Sequence, residues 1–278
     1  MKLVLEGGGS RAAFSAGVLL ALERAEIPCE AVVGSSTSAV NAAYFAAHQM
    51  DVCVRMWTEV VPDDFISYAR LFVPGRPAID VDRMIDDVLG GGWSKLDVDT
   101  ALSGDPTLYV AATEVPSGTP HVVRPDRARL FEWLRASTAL PVGYNRTVRV
   151  GEREYVDSGL SAPVPYDWPL ETEWDAPTVV VLTRRPDTLK SQPSWWQRAF
   201  LSMIVPPAIR AASMAQHELY NELIGKLMAE RDPKKLIVLG PPDDMPLSRL
   251  TRDVASLQRG VDVGIREGER LAKEIAGR

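Results

Sequence analysis

Residues 37–47 constrain this chain more than any other stretch, because nearly every position there is small or apolar. A helix that is apolar on all sides has no face to turn toward water, so it has to be buried. The rest of the chain must then cover it from every direction. The composition allows this: 46% of the 278 residues are hydrophobic and 24% charged, the balance of a globular protein with a substantial core. The length suits one large domain or two small ones. No linker, internal repeat or low-complexity tract divides the sequence. A single domain over residues 1–278 is expected, with its chemistry within 3–182 and a helical C-terminal part from about 190.

Apolar runs alternate with helical patterns along the chain. Residues 2–5 read as a short strand broken by Gly7, Gly8 and Gly9, and 12–25 as a helix with Phe14, Val18, Leu19 and Leu22 on one face. A second short strand, 31–33, ends at Gly34, just before the buried helix. Helices are expected over 51–60, 80–89 (capped by Asp80) and 126–137, and strands over 107–113 and 121–123. Pro62, Pro74, Gly75 and Pro77 mark loops. Residues 147–150 and 154–156 form a hairpin pattern. The β-branched run at 178–182 predicts a central strand, followed by helix over 206–230, strand over 236–239 and mostly helix over 247–276. This alternation implies an α/β fold with a largely parallel sheet.

Several function classes are disfavoured. A net charge of −6 and a pI near 5.3 argue against a broad basic surface for nucleic acid. Cys29 and Cys53, the only cysteines, make neither a disulfide framework nor a zinc site, so no metal is expected. No run approaches the roughly 20 apolar residues of a membrane span. Residues 1–6 hold no secretory signal, and a cytoplasmic location is expected, with peripheral contact at the inner membrane face as its one variation. Residues 194–201, with Trp195 and Trp196, fit either a lid or membrane-facing helix or ordinary packing.

Three short segments carry chemistry. Gly34, Ser35, Ser36, Thr37 and Ser38 join a strand to the buried helix. A serine nucleophile needs such a tight turn, with small residues two before and two after it. Gly34 and Ser38 meet that demand around Ser36, whereas Ser35 and Ser38 fail it. The helix dipole would also favour charge developing at Ser36. The alternative is a small-residue helix start. Next, Gly7, Gly8, Gly9, Ser10 and Arg11 offer backbone N–H groups to an anion, either a nucleotide phosphate or the oxyanion of an acyl intermediate. A side chain placed at Gly8 is expected to fill that anion site. The dinucleotide reading wants an acid near the end of the next strand, and only Glu30, which precedes it, is at hand. Finally, Asp157, Ser158 and Gly159 follow the hairpin; Asp157 could point its carboxylate out of the sheet or simply serve the turn.

Histidine would separate a triad from a dyad. Only His48, His121 and His217 exist. His48 and His121 read as structural, and His217, beside Gln216 and Glu218, as an exposed helix position. A Ser36–Asp157 dyad is the economical alternative, although an ordinary Asp with a pKa near ~3.9 is a weak base. Desolvation and oxyanion stabilisation would have to help it.

In order, these segments resemble the patatin-like phospholipase family. Its glycine-rich motif is matched at 7–12, its nucleophile elbow at 34–38 and its catalytic Asp turn at 157–159. Residues 136–141 match the Ala-Ser-x-Ala-x-Pro segment before the Asp, and Asn41 stands where the family has Asn. The resemblance implies a patatin-like three-layer α/β fold, with a central, largely parallel sheet flanked by helices. It also implies a Ser36–Asp157 dyad acting on acyl esters of phospholipids, lysophospholipids or neutral lipids without a cofactor. Ala12, Ser38 and Ser158 replace family glycines. Ser38 could crowd the elbow and Ser158 could alter how Asp157 is presented. A weak or inactive relative that binds lipid or acts as a scaffold is the alternative.

Overall fold

The computed structural model describes residues 1–62, 65, 67, 77–141, 143–167, 177–205, 207–232, 234–242, 245 and 247–277. The loop markers Pro74 and Gly75, and the expected helix start at Pro206, lie outside them. Eight strands form one sheet along the path β5-β6-β3-β2-β1-β7-β8, with β4 paired to β3. The parallel strands are β1 (Lys2–Leu5), β2 (Ala31–Gly34), β7 (Thr178–Val181), β8 (Leu236–Leu239) and the first part of β3 (Thr107–Val115). β4 (Pro120–Val123) and the hairpin of β5 (Val148–Val150) and β6 (Arg153–Val156) are antiparallel. The run expected to be central is interior, between β1 and β8.

Strand periodicity makes the three layers. Leu3, Leu5, Val32, Val179 and Val181 face the main core with α1 (Ala12–Arg24) and α2 (Thr37–Ala46). Their alternates Val4, Val33 and Val180 face Tyr220, Ile224 and Leu227 of α7 (Arg210–Glu230). A parallel sheet covered on both faces needs apolar residues at both parities, which these strands have. Helix α2 is buried from Ser38 to Ala46, as its composition demands. Asn41 gives it polar anchors: its Nδ2 donates to the Ala12 carbonyl (2.9 Å), and its Oδ1 accepts from Trp57 Nε1 (2.9 Å).

Local chemistry moves several expected boundaries. The 51–60 helix is α3 (Met50–Arg55) continued as a π-helical turn over Met56–Val60. The 80–89 segment is π-wound over Arg83–Leu89; Asp80 Oδ1 accepts from the Arg83 N–H (3.2 Å) as a cap would. Beyond the short α4 (Val98–Ala101), α5 begins at Leu130, because Asp126 Oδ1 closes a turn on the Arg129 N–H (2.9 Å) first. α5 runs to Thr138 and is followed, after β7, by α6 (Trp195–Ile204). The last helix, α8 (Val254–Ala276), starts late because Asp253 caps it, accepting from the Ser256 N–H (2.8 Å). Residues 247–250 are then coil and turn rather than helix, and the Arg249 carbonyl accepts from the Ser10 N–H (2.9 Å).

Helices α1 and α8 approach at backbone distance. A Cβ on Gly17 would stand 2.1 Å from the Val261 carbonyl oxygen, and one on Gly264 2.1 Å from that of Phe14. Gly264→Val should therefore force the helices apart and lower stability by about 1–3 kcal/mol or more. Gly225 in α7 has open space where its Cβ would be. Gly225→Ala should instead stabilise by about 0.5–1 kcal/mol, since alanine restricts the unfolded chain. Denaturant midpoints should move in opposite directions for the two variants; a shared direction would contradict this packing.

Candidate active site

Strand β3 brings the site together by using one edge twice. Val110 pairs with both Gly34 of β2 and Val123 of β4, which therefore occupy opposite edges. Thr113 pairs with both Pro120 of β4 and Val156 of β6, so β6 shares the edge held by β2. The two strands meet head to head there, and each leaves the sheet at the junction. Ser36 follows one strand and Asp157 the other. The Ser36 hydroxyl donates to Asp157 Oδ2 at 2.7 Å.

The elbow is strained and close-packed. Ser36 has φ 54° and ψ −133°, a region that costs a non-glycine residue about 1–3 kcal/mol. Gly34 cannot carry a side chain, since its Cβ would lie 2.4 Å from Ala39 Cα. Ser38 does not crowd the turn: its buried hydroxyl donates to the Glu6 carbonyl at 2.7 Å. Ser158 becomes a clasp between elbow and acid turn. Its Oγ accepts from the Ser36 N–H at 2.7 Å and lies 2.8 Å from Ser35 Oγ, while Ser137 Oγ also accepts from the Ser36 N–H at 3.0 Å.

Only part of the glycine loop is free to meet an anion. The Gly7 N–H donates to the Pro163 carbonyl (3.0 Å), that of Ser10 to Arg249 and that of Arg11 to Gly8 (3.3 Å). This corrects the expectation that all five residues contribute. Among the described residues, none accepts from the N–H groups of Gly8 and Gly9, and both residues line the cavity of about 100 Å³ that holds Ser36 and Asp157. A side chain at Gly8 would not fill that cavity, because its Cβ would strike Thr183 Oγ1 at 2.6 Å. The Arg11 side chain turns into a different cavity.

Asp157 is buried, and desolvation raises its pKa above the ordinary carboxylate value. The bonds from Ser36 and the Gly159 N–H (2.8 Å), with the charges of Arg249 and Lys190, pull it partly back. Burial and the nearby Arg249 bring Lys190 down to about 7. Gln216 also lines this cavity and donates to the Gly159 carbonyl. Sequence reasoning missed Lys190, Arg249 and Gln216, none of which sits in a motif. Gln216 had served there to mark an exposed helix face.

No histidine lines the cavity among the described residues. His48 Nε2 bonds the Asp105 carbonyl (2.9 Å), and His121 stacks on Trp133 with centroids 5.5 Å apart. His217 is not exposed as expected; its side chain is 14% accessible and Nδ1 meets the Met214 carbonyl (3.1 Å). Glu30 immediately precedes β2, at the opposite end from the glycine loop, so it cannot serve a nucleotide there. The described residues contain no group of three or more His, Cys, Asp or Glu placed to hold a metal ion.

The patatin-like phospholipase family model matches residues 3–169, which span every one of these motifs. The chain belongs to that family. Its members are lipid acyl hydrolases as a class. YjjU of Escherichia coli (strain K12), an uncharacterized protein, is 29% identical over 272 residues, covering 94% of this chain and 74% of YjjU. VipD from Legionella pneumophila shares the patatin-like fold, with a TM-score of 0.54 at 13% identity. That match covers 98% of this chain and 66% of VipD.

Burial of Asp157 has a thermodynamic consequence. A carboxyl whose folded pKa lies above its unfolded value near 3.8 binds protons more tightly in the native state. Its ionisation then costs stability as pH rises through that window. Asp157→Asn should melt higher than the native protein at pH 7–8, and the difference should vanish as pH falls to the ordinary carboxylate range. A variant that melts lower at neutral pH would show that the hydrogen bonds to the carboxylate outweigh its desolvation.

Proposed function

We propose that this chain hydrolyses lipid acyl esters through Ser36 and Asp157. The observation that carries this reading is the 2.7 Å bond between Ser36 Oγ and a desolvated Asp157, beside the unengaged N–H groups of Gly8 and Gly9. Asp157 takes the hydroxyl proton as Ser36 Oγ attacks the ester carbonyl. The carbonyl oxygen, now an oxyanion, accepts from the Gly8 and Gly9 N–H groups, whose donors are fixed before reaction. Collapse expels the alcohol, which takes the proton from Asp157. Water, deprotonated by the same carboxylate, then releases the acyl group and restores Ser36. Raising the Asp157 pKa brings the base closer to neutral pH, where proton transfer is more effective.

An apolar cavity adjoins the Ser36 cavity, and both are lined by Gly9, Thr37, Ile79 and Met84. Trp57, Val60, Val61, Phe65 and Val88 give it an apolar wall, a surface suited to an acyl chain, with Asp80 and Arg249 also among its lining residues. Near the acid turn, α6 carries Trp195, Trp196 and Met203, which are 82%, 58% and 79% exposed. Its Leu201 packs against the cluster of Val156, Leu160, Val205 and Ile209, the first two of which flank Asp157. Tryptophan suits the interface of a bilayer, and this helix supports peripheral contact with the lipid surface that holds the substrate. No described helix is long and apolar enough to cross a membrane.

A fluorophosphonate probe should label Ser36 in the native protein and leave Ser36→Ala blank. Asp157→Asn should lose about 10²–10⁴-fold in ester hydrolysis while remaining folded. His48→Gln, His121→Gln and His217→Gln should keep most of theirs. A native protein that neither labels nor turns over would favour a lipid-binding role without catalysis. For the acyl pocket, Val60→Phe should lower kcat/KM for long-chain esters while sparing butyrate, at about 0.8 kcal/mol per methylene excluded. Equal losses for every chain length would place the acyl chain elsewhere.

A further inference from the structure

Behind the glycine loop lies a second cavity, of about 530 Å³, which neither Ser36 nor Asp157 lines. Arg11, Thr183, Arg184, Thr188, Ser248 and Arg249 line it. Arg11 is only 8% exposed, yet its buried Nε and Nη2 have no hydrogen-bond partner among the described residues. The buried Nε of Arg184 and Oγ1 of Thr183 are likewise unpartnered. Native proteins seldom leave buried donors unmatched, and such groups commonly mark a missing water or ion.

Among the described residues, charge around this cavity is unbalanced in one direction. Arg184 and Arg249 act electrostatically on Arg11, and the carboxylate that counters them is Glu6. Glu6 is itself committed, its Oε2 accepting from the Thr183 N–H at 2.5 Å. Arg185 is paired with Asp187 at 2.7 Å and adds nothing to the excess. The same crowding reaches Lys190, which Arg249, Arg184 and Arg11 all help to depress. A partly buried excess of guanidinium groups is relieved by an anion rich in oxygen, and the planar guanidinium fork matches phosphate in both geometry and charge. Thr188 and Ser248 are further polar residues on its wall.

We propose that this cavity binds a phosphate-type oxyanion through Arg11 and Arg184, at a site separate from the one that holds the ester. The separating wall is residues 249–250, which line both cavities, together with the glycine loop. Gly8 packs against Thr183 on the side facing the second cavity, and the Arg249 carbonyl holds the Ser10 N–H. A bound phosphate would therefore brace the loop that presents the Gly8 and Gly9 N–H groups. Two sources share this chemistry: a free phosphate compound and the headgroup of a lipid phosphate monoester.

The test is calorimetric titration of the full chain with inorganic phosphate at constant ionic strength, with chloride as the control, in native and Ser36→Ala proteins. Saturable binding at one site is expected in both, which keeps this result independent of the serine chemistry. Arg184→Gln should weaken it at least tenfold, and Arg184→Lys, which keeps the charge but loses the fork, should weaken it several-fold. Co-sedimentation of Ser36→Ala protein with phosphatidylcholine vesicles, with and without phosphatidate, separates the sources. Phosphatidate-dependent binding that inorganic phosphate displaces identifies a lipid headgroup; vesicles without effect identify a free phosphate compound. No saturable phosphate binding, or binding unchanged in the folded Arg184 variants, would overturn the proposal.

Discussion

The shared edge of β3 is the constraint on which the site depends. β2 ends opposite Val110 and β6 ends opposite Thr113, so Ala111 and Ala112 alone separate the two exits. Both alanines are fully buried and small, which lets elbow and acid turn close over them. Because each strand is pinned by backbone hydrogen bonds, Ser36 and Asp157 are placed by the sheet rather than by flexible side chains. A one-residue slip in either register would turn the relevant side chain to the other face.

That placement has costs that the surroundings offset. Ser36 sits at positive φ, and Asp157 is a carboxyl held away from water. The strain at Ser36 persists because Gly34 lets α2 approach closely and the serine hydroxyls fasten the turn from both sides. Ser158 and Ser38, where the family has glycine, supply two of these fastenings. A small polar residue can replace glycine here because its hydroxyl finds a buried acceptor or donor. The same exchange for an apolar side chain would leave the Ser36 N–H with fewer partners.

Glycine has a different use at the back of the molecule. Gly17 on α1 and Gly264 on α8 bring two helix backbones into contact, which clamps the helix that follows the glycine loop. The turn before α8 then reaches Ser10 through the Arg249 carbonyl. Through these contacts the C-terminal helix, far from the motifs in sequence, helps fix the loop that presents Gly8 and Gly9.

Much of this was legible in the sequence, and for physical reasons. The all-apolar run at 37–47 required a buried helix, β-branched runs required buried strands, and small residues around Ser36 allowed a tight turn. Such features report local demands that any fold of this chain has to meet. Helix starts were less legible, because Asp126 and Asp253 act through side-chain bonds that compete with helix winding. The roles of Gln216, Lys190 and Arg249 could not be read at all. Each lies far along the chain from Ser36, outside any catalytic motif, and becomes part of the site only when α7, the loop after β7 and the turn before α8 pack beside it. Likewise the sequence named five residues for an anion site, but backbone pairing with Pro163, Arg249 and Gly8 left two. The sequence by itself determined the layered fold and marked the segments that carry Ser36 and Asp157, since periodicity and turn chemistry are local; the sheet brought the two together. Which N–H groups stay free, and which charges gather around them, was decided by tertiary contacts alone, because hydrogen-bond partners and burial exist only between segments brought together.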